Sequence, residues 1–411
     1  MEPETPPKDT RLIREITLRN ILSFGPDTPP FELRPLNVLI GPNGSGKSNL
    51  IDCIRLMRAT PQKEGIRIVS GRSGGARNWI WMGEYPKSLE QIVKEGKNLP
   101  DQGSIFDNAY LSIKIAVKSN KIITHDLTLE YPFINSDLQV RSERILDIDG
   151  LTEYDSLHDR DANGSYVEGR AYMLHAEPQS FLEKRWDESK HPAALSLIKS
   201  YSRISIYSEF SFGRDSILRL PVAADLPKDK LIESLINLPL VVNRLISRPM
   251  VKDSILSHLK DLSETFSDIL TPLASGIHMD LNLVADGRSV PATRLSDGTL
   301  RYLCLLAILC DPEPPPLICI EEPELGLHPD IIGKLAELLI EASTRTQLIV
   351  TTHSDILVEA LTETPESVVV CEKHDGKTEM HRLTKGEVEP WVDKYRLGEL
   401  WLRGGIGGTR W

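Results

Sequence analysis

The chain has 411 residues, 40% hydrophobic and 26% charged, proportions that fit a globular protein and exclude wholesale disorder. A net charge of −11 excludes a surface that is basic overall, so any contact with nucleic acid needs a local patch or a partner. The longest apolar run, Tyr302 to Cys310, is too short for a membrane helix, which needs about 20 residues. The acidic, Pro-rich start Met1-Glu-Pro-Glu-Thr-Pro-Pro-Lys8 lacks the apolar segment of a secretory signal. Cys53, Cys304, Cys310, Cys319 and Cys371 form no CxxC pair and read as reduced core thiols of a cytoplasmic protein.

In chain order, Arg11 to Leu18 predicts a strand and Ser23-Phe24-Gly25-Pro26 a turn. Phe31 to Leu33 and Leu36 to Ile40 predict further strands, the latter apolar at nearly every position, as in a strand covered on both faces. A Gly-rich loop then leads into a helix bearing Leu50, Ile51, Ile54 and Met57. Alternating residues from Tyr110 to Asp149 predict antiparallel hairpins. Residues 150–190 are polar and read as an exposed insertion, and 192–270 as mainly helical, including a helix from Ser254 to Leu270. The last third predicts a helix near 298–310, a strand at 317–320, a helix at 330–342 and strands at 347–351 and 367–371. The chain thus divides into 9–150, an insertion at 151–275, and 276–411, an α/β architecture without a long coiled coil.

Gly41-Pro42-Asn43-Gly44-Ser45-Gly46-Lys47-Ser48 fits the G-x-x-x-x-G-K-[ST] phosphate loop and lies between a buried strand and a helix. Its glycines let successive N–H groups turn inward as an anion nest; Lys47 reaches the β/γ-phosphates of ATP and the Ser48 hydroxyl ligates Mg²⁺. The apolar strand Leu317-Ile318-Cys319-Ile320 ends in Glu321-Glu322-Pro323-Glu324, at the carboxyl edge where α/β sheets bind ligands. One such carboxylate holds the metal and its neighbour polarises the attacking water. Ser296-Asp297-Gly298-Thr299 opens the apolar helix with Ser296 as N-cap. His353 follows a strand and two threonines.

Lys47, Ser296, Glu321-Glu322 and His353 occur in the order of an ABC-type ATPase head, and the chain resembles the RecF, SMC and OLD-like clade of such ATPases. More narrowly it resembles bacterial stand-alone ATPases of that clade found in anti-phage defence operons. The segments that carry this likeness are Leu36 to Gly44, Phe210 to Arg219, Leu295 to Thr299, Ile320 to Pro329, Thr351-Thr-His-Ser354 and Gly398 to Arg403. The resemblance implies a P-loop sheet with an antiparallel β subdomain. It makes Gly41–Ser48 the Walker A loop, Ser296, Asp297 and Gly298 the signature, Glu321 the metal-side carboxylate, Glu322 the catalytic carboxylate, Leu325 to His328 the D-loop and His353 the γ-phosphate switch. Asp297 and Glu321 stand where transporters of this fold have Gly and Asp. Arg19, Asn20 and Phe24 resemble contacts at the nucleotide edge; the Q-loop glutamine has candidates by position only, in Gln62, Gln91 and Gln102. The resemblance further implies a homodimer in which each signature faces nucleotide held by the other copy.

Two acidic motifs stand apart. Asp159-Arg-Asp161-Ala-Asn163-Gly164 begins like a calcium loop but has Arg170 where the bidentate Glu belongs, and Asp147-Ile-Asp149 before Gly150 reads as a turn. Only 58 residues follow His353, less than a typical 100-residue domain, so no Toprim nuclease of the OLD type is expected here. The function expected is Mg²⁺-dependent ATP hydrolysis gating a nuclease-like partner in defence. A RecF-like DNA-maintenance ATPase and a nucleotide-dependent scaffold are the alternatives. The end of the chain, Leu400 to Trp411, with two tryptophans and four glycines, reads as a segment that docks on its own head or on a partner.

Overall fold

The computed structural model describes residues 9–72, 74–83, 108–117, 121–131, 137–146, 152–157, 179–183, 186, 191–210, 212–274, 276–392 and 394–408. The acidic motifs at 147–150 and 159–170, Gln91, Gln102 and residues 409–411 lie outside the described residues.

Apolar runs without alternation demand cover on both faces, and these runs build the core sheet. Its order is Lys377–Arg382, Val368–His374, Leu36–Ile40, Gln347–Thr351, Leu317–Glu321 and Ile204–Tyr207, five parallel strands with an antiparallel edge at 377–382. Successive side chains of these strands enter two different cores. Val38, Ile40, Ile318, Ile320, Leu348 and Val350 pack with the helices Leu238–Ile246, Pro249–Leu262, Asp297–Leu309 and Pro329–Ser343. Leu39, Leu317, Cys319 and Ile349 pack with the helices Lys47–Ala59 and Pro192–Tyr201 and with a second sheet. That second sheet runs Phe31–Glu32, Ile13–Arg19, Asn108–Val117, Lys121–Glu130, Gln139–Leu146 and Thr152–Leu157, all antiparallel. Leu111, Ile113 and Ile115 are fully buried on its inner face, as the alternation predicts.

Three stretches differ from the sequence reading. Thr152–Leu157, within the expected polar insertion, adds a strand to the antiparallel sheet. Ile204–Tyr207, within the stretch expected to be mainly helical, is the edge strand of the core sheet. The helix expected to continue to Leu270 stops at Leu262, and Phe266–Leu270 is a strand paired with Asn282–Ala285. Ser263 is extended (φ −160°, ψ 124°); its hydroxyl bonds that of Thr265 (2.9 Å), and its carbonyl accepts from Phe266 N–H (3.1 Å). These local bonds give the backbone an alternative to the helix ladder.

Cys53, Cys304, Cys319 and Cys371 are buried free thiols and Cys310 is half-buried, as core cysteines should be. Burial pushes the Cys371 thiol up to about 12. Among the described residues no helix is long and apolar enough to cross a membrane.

The two sheets are locked by one fully buried amide. Gln347 Oε1 accepts from Leu12 N–H (3.0 Å) and Ile13 N–H (2.8 Å), while its Nε2 donates to Ile13 O (2.8 Å) and Arg34 O (3.2 Å). Gln347→Ala leaves two buried N–H groups unpaired and is expected to remove about 2–4 kcal/mol of stability. A urea titration checks this; a change below about 0.5 kcal/mol would show that water replaces the amide.

Candidate functional site

The loop after strand 36–40 is held by its neighbours. Gly41 has φ 143°, and a Cβ there would stand 2.1 Å from the Cys371 carbonyl oxygen. Gly46, the N-cap of helix 47–59, has φ 97°, and its Cβ would strike Thr378 Oγ1. Glycine is required at both positions by conformation and by space. Thr378 Oγ1 donates to Ser45 O (2.8 Å) and shares a hydrogen bond with Ser23 Oγ (2.6 Å), which accepts from Asn49 Nδ2 (2.6 Å). Ser23, in the turn after the first strand, therefore braces the loop.

Lys47 is buried, and its Nζ donates to the loop's own Gly41 O (2.8 Å) and Pro42 O (2.9 Å). Burial depresses its pKa, and the nearby Cys371, Glu322 and Glu324 oppose that shift. Ser45 Oγ is buried with no hydrogen-bond partner. Ser48 is exposed at the start of the helix, beside Glu321. Burial raises the Glu321 pKa; Ser48 and Arg55 (Nη2 to Glu321 Oε1, 3.9 Å) oppose the rise. Among the described residues no group of three or more His, Cys, Asp or Glu makes a metal cage. A cation at Ser48 and Glu321 would draw its remaining ligands from phosphate and water, the usual habit of Mg²⁺. An orphaned hydroxyl, a lysine tied to its own loop and one serine–carboxylate pair fit a Mg²⁺–nucleotide.

Parallel pairing brings the other residues here. Glu321 lies opposite Thr351, and Thr351 opposite Leu39. Glu322 follows with φ 46°, a left-handed conformation held by its N–H to Thr351 O (3.0 Å) and Oγ1 (3.2 Å). Its Oε1 lies 3.7 Å from His353 Nε2. Glu324 has no role assigned by the sequence reading, yet it joins the two loops. Its Oε1 accepts from Thr352 Oγ1 (2.7 Å) and His353 N–H (2.9 Å), while its buried Oε2 has no hydrogen-bond partner. Its signal in sequence was its place after a proline in Glu321-Glu-Pro-Glu, at the end of a buried strand.

Ser296 caps helix 297–309, accepting from Thr299 N–H (3.1 Å), with Ser296 and Asp297 exposed. A Cβ on Gly298 would stand 2.9 Å from Gly326 O, so the turn at 296–298 packs on the loop at 325–328 of its own chain. Arg219, quoted in the sequence without a role, clamps this turn. It is buried, donates to Gly213 O (2.7 Å), Ala292 O (3.0 Å) and Leu295 O (2.6 Å), and pairs with Asp297. Arg301, one turn into the same helix, donates to Glu322 O (3.2 Å) and lies over Phe210 and Phe212, centroids 4.9 and 5.5 Å away. The signature helix and the Glu322 backbone thus share a side chain.

The remaining candidates fare differently. Asn20 has φ 53° and a buried Oδ1 without a partner; Phe24 is fully buried, and Arg19 Nε donates to Thr28 O (3.4 Å). Gln62 sits in the turn beyond helix 47–59, about 20 Å along the axis from the phosphate loop. That distance removes it as the Q-loop residue. The segment leaving the strand beside Leu317–Glu321 is Ser208-Glu209-Phe210, with no glutamine, and Ser208 Oγ accepts from Arg55 Nη2 (2.6 Å). Sequence spacing missed this place because its strand was read as part of a helical stretch.

A phosphate loop, a carboxylate pair on a neighbouring strand and a capped signature helix, on a parallel sheet with an antiparallel companion, define an ATPase head of the ABC and SMC type. Residues 36–359 match the family described as "AAA domain, putative AbiEii toxin, Type IV TA system", and the chain belongs to that family. No curated protein matches it significantly. Among solved structures, the Smc head bound to the C-winged helix domain of ScpA is 15% identical with a TM-score of 0.51, over 92% of this chain and 100% of that one. The Smc head with an extended coiled coil bound to the C-terminal domain of ScpA, from Pyrococcus furiosus, is 14% identical with a TM-score of 0.50, over 93% and 99%. Likeness at these identities is one of fold.

Burial raises the Glu324 carboxyl pKa, opposed by its bonds from Thr352 and His353. A raised folded-state pKa destabilises the fold fully above that value, and the penalty disappears below the unfolded one. Glu324→Gln removes the charge and keeps the shape. Its melting shift relative to wild type should therefore be more positive at about pH 8 than at about pH 4. A shift independent of pH would show that folding does not move the Glu324 pKa.

Proposed function

We propose that this chain is a Mg²⁺-dependent ATPase that works as a dimer with ATP between its two copies and gates a partner effector. The reading rests on one juxtaposition: Lys47 and the Ser48–Glu321 pair beside the Glu322–His353 pair, 3.7 Å apart, on adjoining strand ends. Lys47 exchanges the loop carbonyls for the β/γ-phosphates, and the N–H groups of Gly44 to Ser48 bind the same anion. Ser48 and Glu321 are the residues that would hold Mg²⁺, whose charge offsets that of the phosphate oxygens. Glu322 orients and polarises the attacking water, and His353, within reach of its carboxylate, senses the γ-phosphate.

A second copy completes the site. Ser296 and the helix start behind it turn to solvent, beside an exposed D-loop Leu325. A capped helix start is an anion site, and in the proposed dimer it meets the γ-phosphate held by the partner. The effector is proposed to be nuclease-like and the setting a defence or toxin–antitoxin system. The net charge of −11 supports a partner, and not this chain, as the principal nucleic-acid contact.

Glu322→Gln should bind ATP with affinity near that of wild type, lose turnover by about 100-fold or more, and accumulate as an ATP-dependent dimer. Sizing with ATP and a phosphate-release assay check this; persistent turnover would remove the carboxylate assignment. Lys47→Ala should lose binding of a fluorescent ATP analogue.

Ser296→Arg and Lys47→Ala disable opposite halves of the composite site. Neither should turn over alone, whereas mixtures should recover up to about a quarter of wild-type activity, from the one intact site in each heterodimer. No recovery at any ratio, with heterodimers confirmed, would count against the shared site.

A further inference from the structure

The C-terminal segment lies beyond the residues that match the family, and it touches both walls of the nucleotide site. Its helix Leu397–Leu402 packs on helix Asp355–Glu359, which begins two residues after His353. The approach is backbone to backbone: a Cβ on Gly398 would stand 2.3 Å from Asp355 O. Leu397 N–H donates to Thr362 Oγ1 (3.1 Å).

The helix closes with paired C-terminal bonds, Gly404 N–H to Trp401 O (3.0 Å) and Gly405 N–H to Leu400 O (2.8 Å), with Gly404 at φ 75°. The chain then turns back over Trp401, whose buried indole Nε1 donates to Gly408 O (2.6 Å). Gly408 N–H donates to Glu372 Oε1 (2.7 Å), a bond that holds the Glu372 carboxyl below its usual range. Glu372 directly follows Cys371, the residue whose carbonyl lies against Gly41. A Cβ on Gly408 would stand 2.9 Å from Val370 Cγ1 and 3.4 Å from Gly41 Cα.

We propose that residues 397–408 form a strap that positions the nucleotide site, holding the first glycine of the phosphate loop at one end and the helix behind His353 at the other. The proposal rests on the ATP reading of the site. Gly41 is confined between Lys47, which takes its carbonyl, and the strap, which lies against its Cα through Gly408. A loop held in this way keeps its N–H groups near their anion-binding arrangement, so loosening the strap lowers nucleotide affinity before it lowers the rate of chemistry. Trp401 and Glu372 act as positioning residues, each through one hydrogen bond to Gly408.

The test uses the full chain and a fluorescent ATP analogue. Glu372→Ala deletes the acceptor for Gly408 N–H, whereas Glu372→Gln retains one. Trp401→Phe keeps an aromatic ring and deletes the indole donor, together with part of the buried ring. Glu372→Ala and Trp401→Phe should each weaken binding about tenfold, raise KM in proportion and leave kcat within about twofold; Glu372→Gln should stay within about twofold of wild type. Gln347→Ala, destabilised at the sheet junction far from the strap, is the reference and should bind normally. Unchanged affinity in Trp401→Phe and Glu372→Ala, with melting lowered as in Gln347→Ala, would overturn the strap and leave the ATP reading intact. A wild-type protein that binds no nucleotide would overturn the ATP reading, and the strap with it.

Discussion

The parallel register of three strands governs the rest of the site. Leu39, Thr351 and Glu321 stand opposite one another, so the chains leave the sheet together as Gly41, Thr352-His353 and Glu322. A slip of one residue in any pairing would exchange the two buried faces, sending Ile349 or Cys319 into the wrong core. The two hydrophobic cores therefore hold the register, and the register sets the distance between the carboxylates, the histidine and the phosphate loop. Thermodynamic stability and site geometry share the same contacts.

On that frame, the site holds groups whose needs are unmet by the protein alone. Lys47 is turned onto its own loop, Ser45 Oγ is buried without a partner, and burial disfavours the charged forms of Glu321 and Glu324. Such groups are rare in folded proteins and concentrate where a ligand completes the bonding. Glu322 adds a left-handed backbone, sustained by Thr351 and Arg301. A Mg²⁺–nucleotide would answer these needs together.

Charged side chains carry the link between the two halves of the head. Arg219 gathers three carbonyls and Asp297 around the signature turn, and Arg301 ties the same helix to the Glu322 carbonyl. A guanidinium suits this work because its planar fork satisfies several acceptors at once and stays protonated when buried. Movement of helix 297–309 would therefore be felt directly at the Glu322 backbone.

Much of this was legible in the linear sequence, because the informative signals were local. The loop Gly41–Ser48, the uninterrupted apolar strands and the capped start of helix 297–309 each follow from residues a few positions apart; the strands at 36–40, 317–320 and 347–351 and that helix agree with the structure to within a residue, while the strand expected at 367–371 runs on to His374. Where tertiary context competes with local pattern, the sequence was silent or misleading. Ile204–Tyr207 became a core strand because it found Leu317–Glu321 beside it, and the helix ended at Leu262 because Ser263 and Thr265 turned the chain toward a strand partner. The roles of Glu324, Arg219 and Arg301 depend on partners from 20 to more than 90 positions away, as in Glu324 with Thr352 or Arg301 with Phe210. Local backbone preference and hydrophobic period act over a few residues and so can be read from the chain alone. Hydrogen bonds of buried polar groups are settled only by what packing brings within about 3 Å, and only the folded structure decides that.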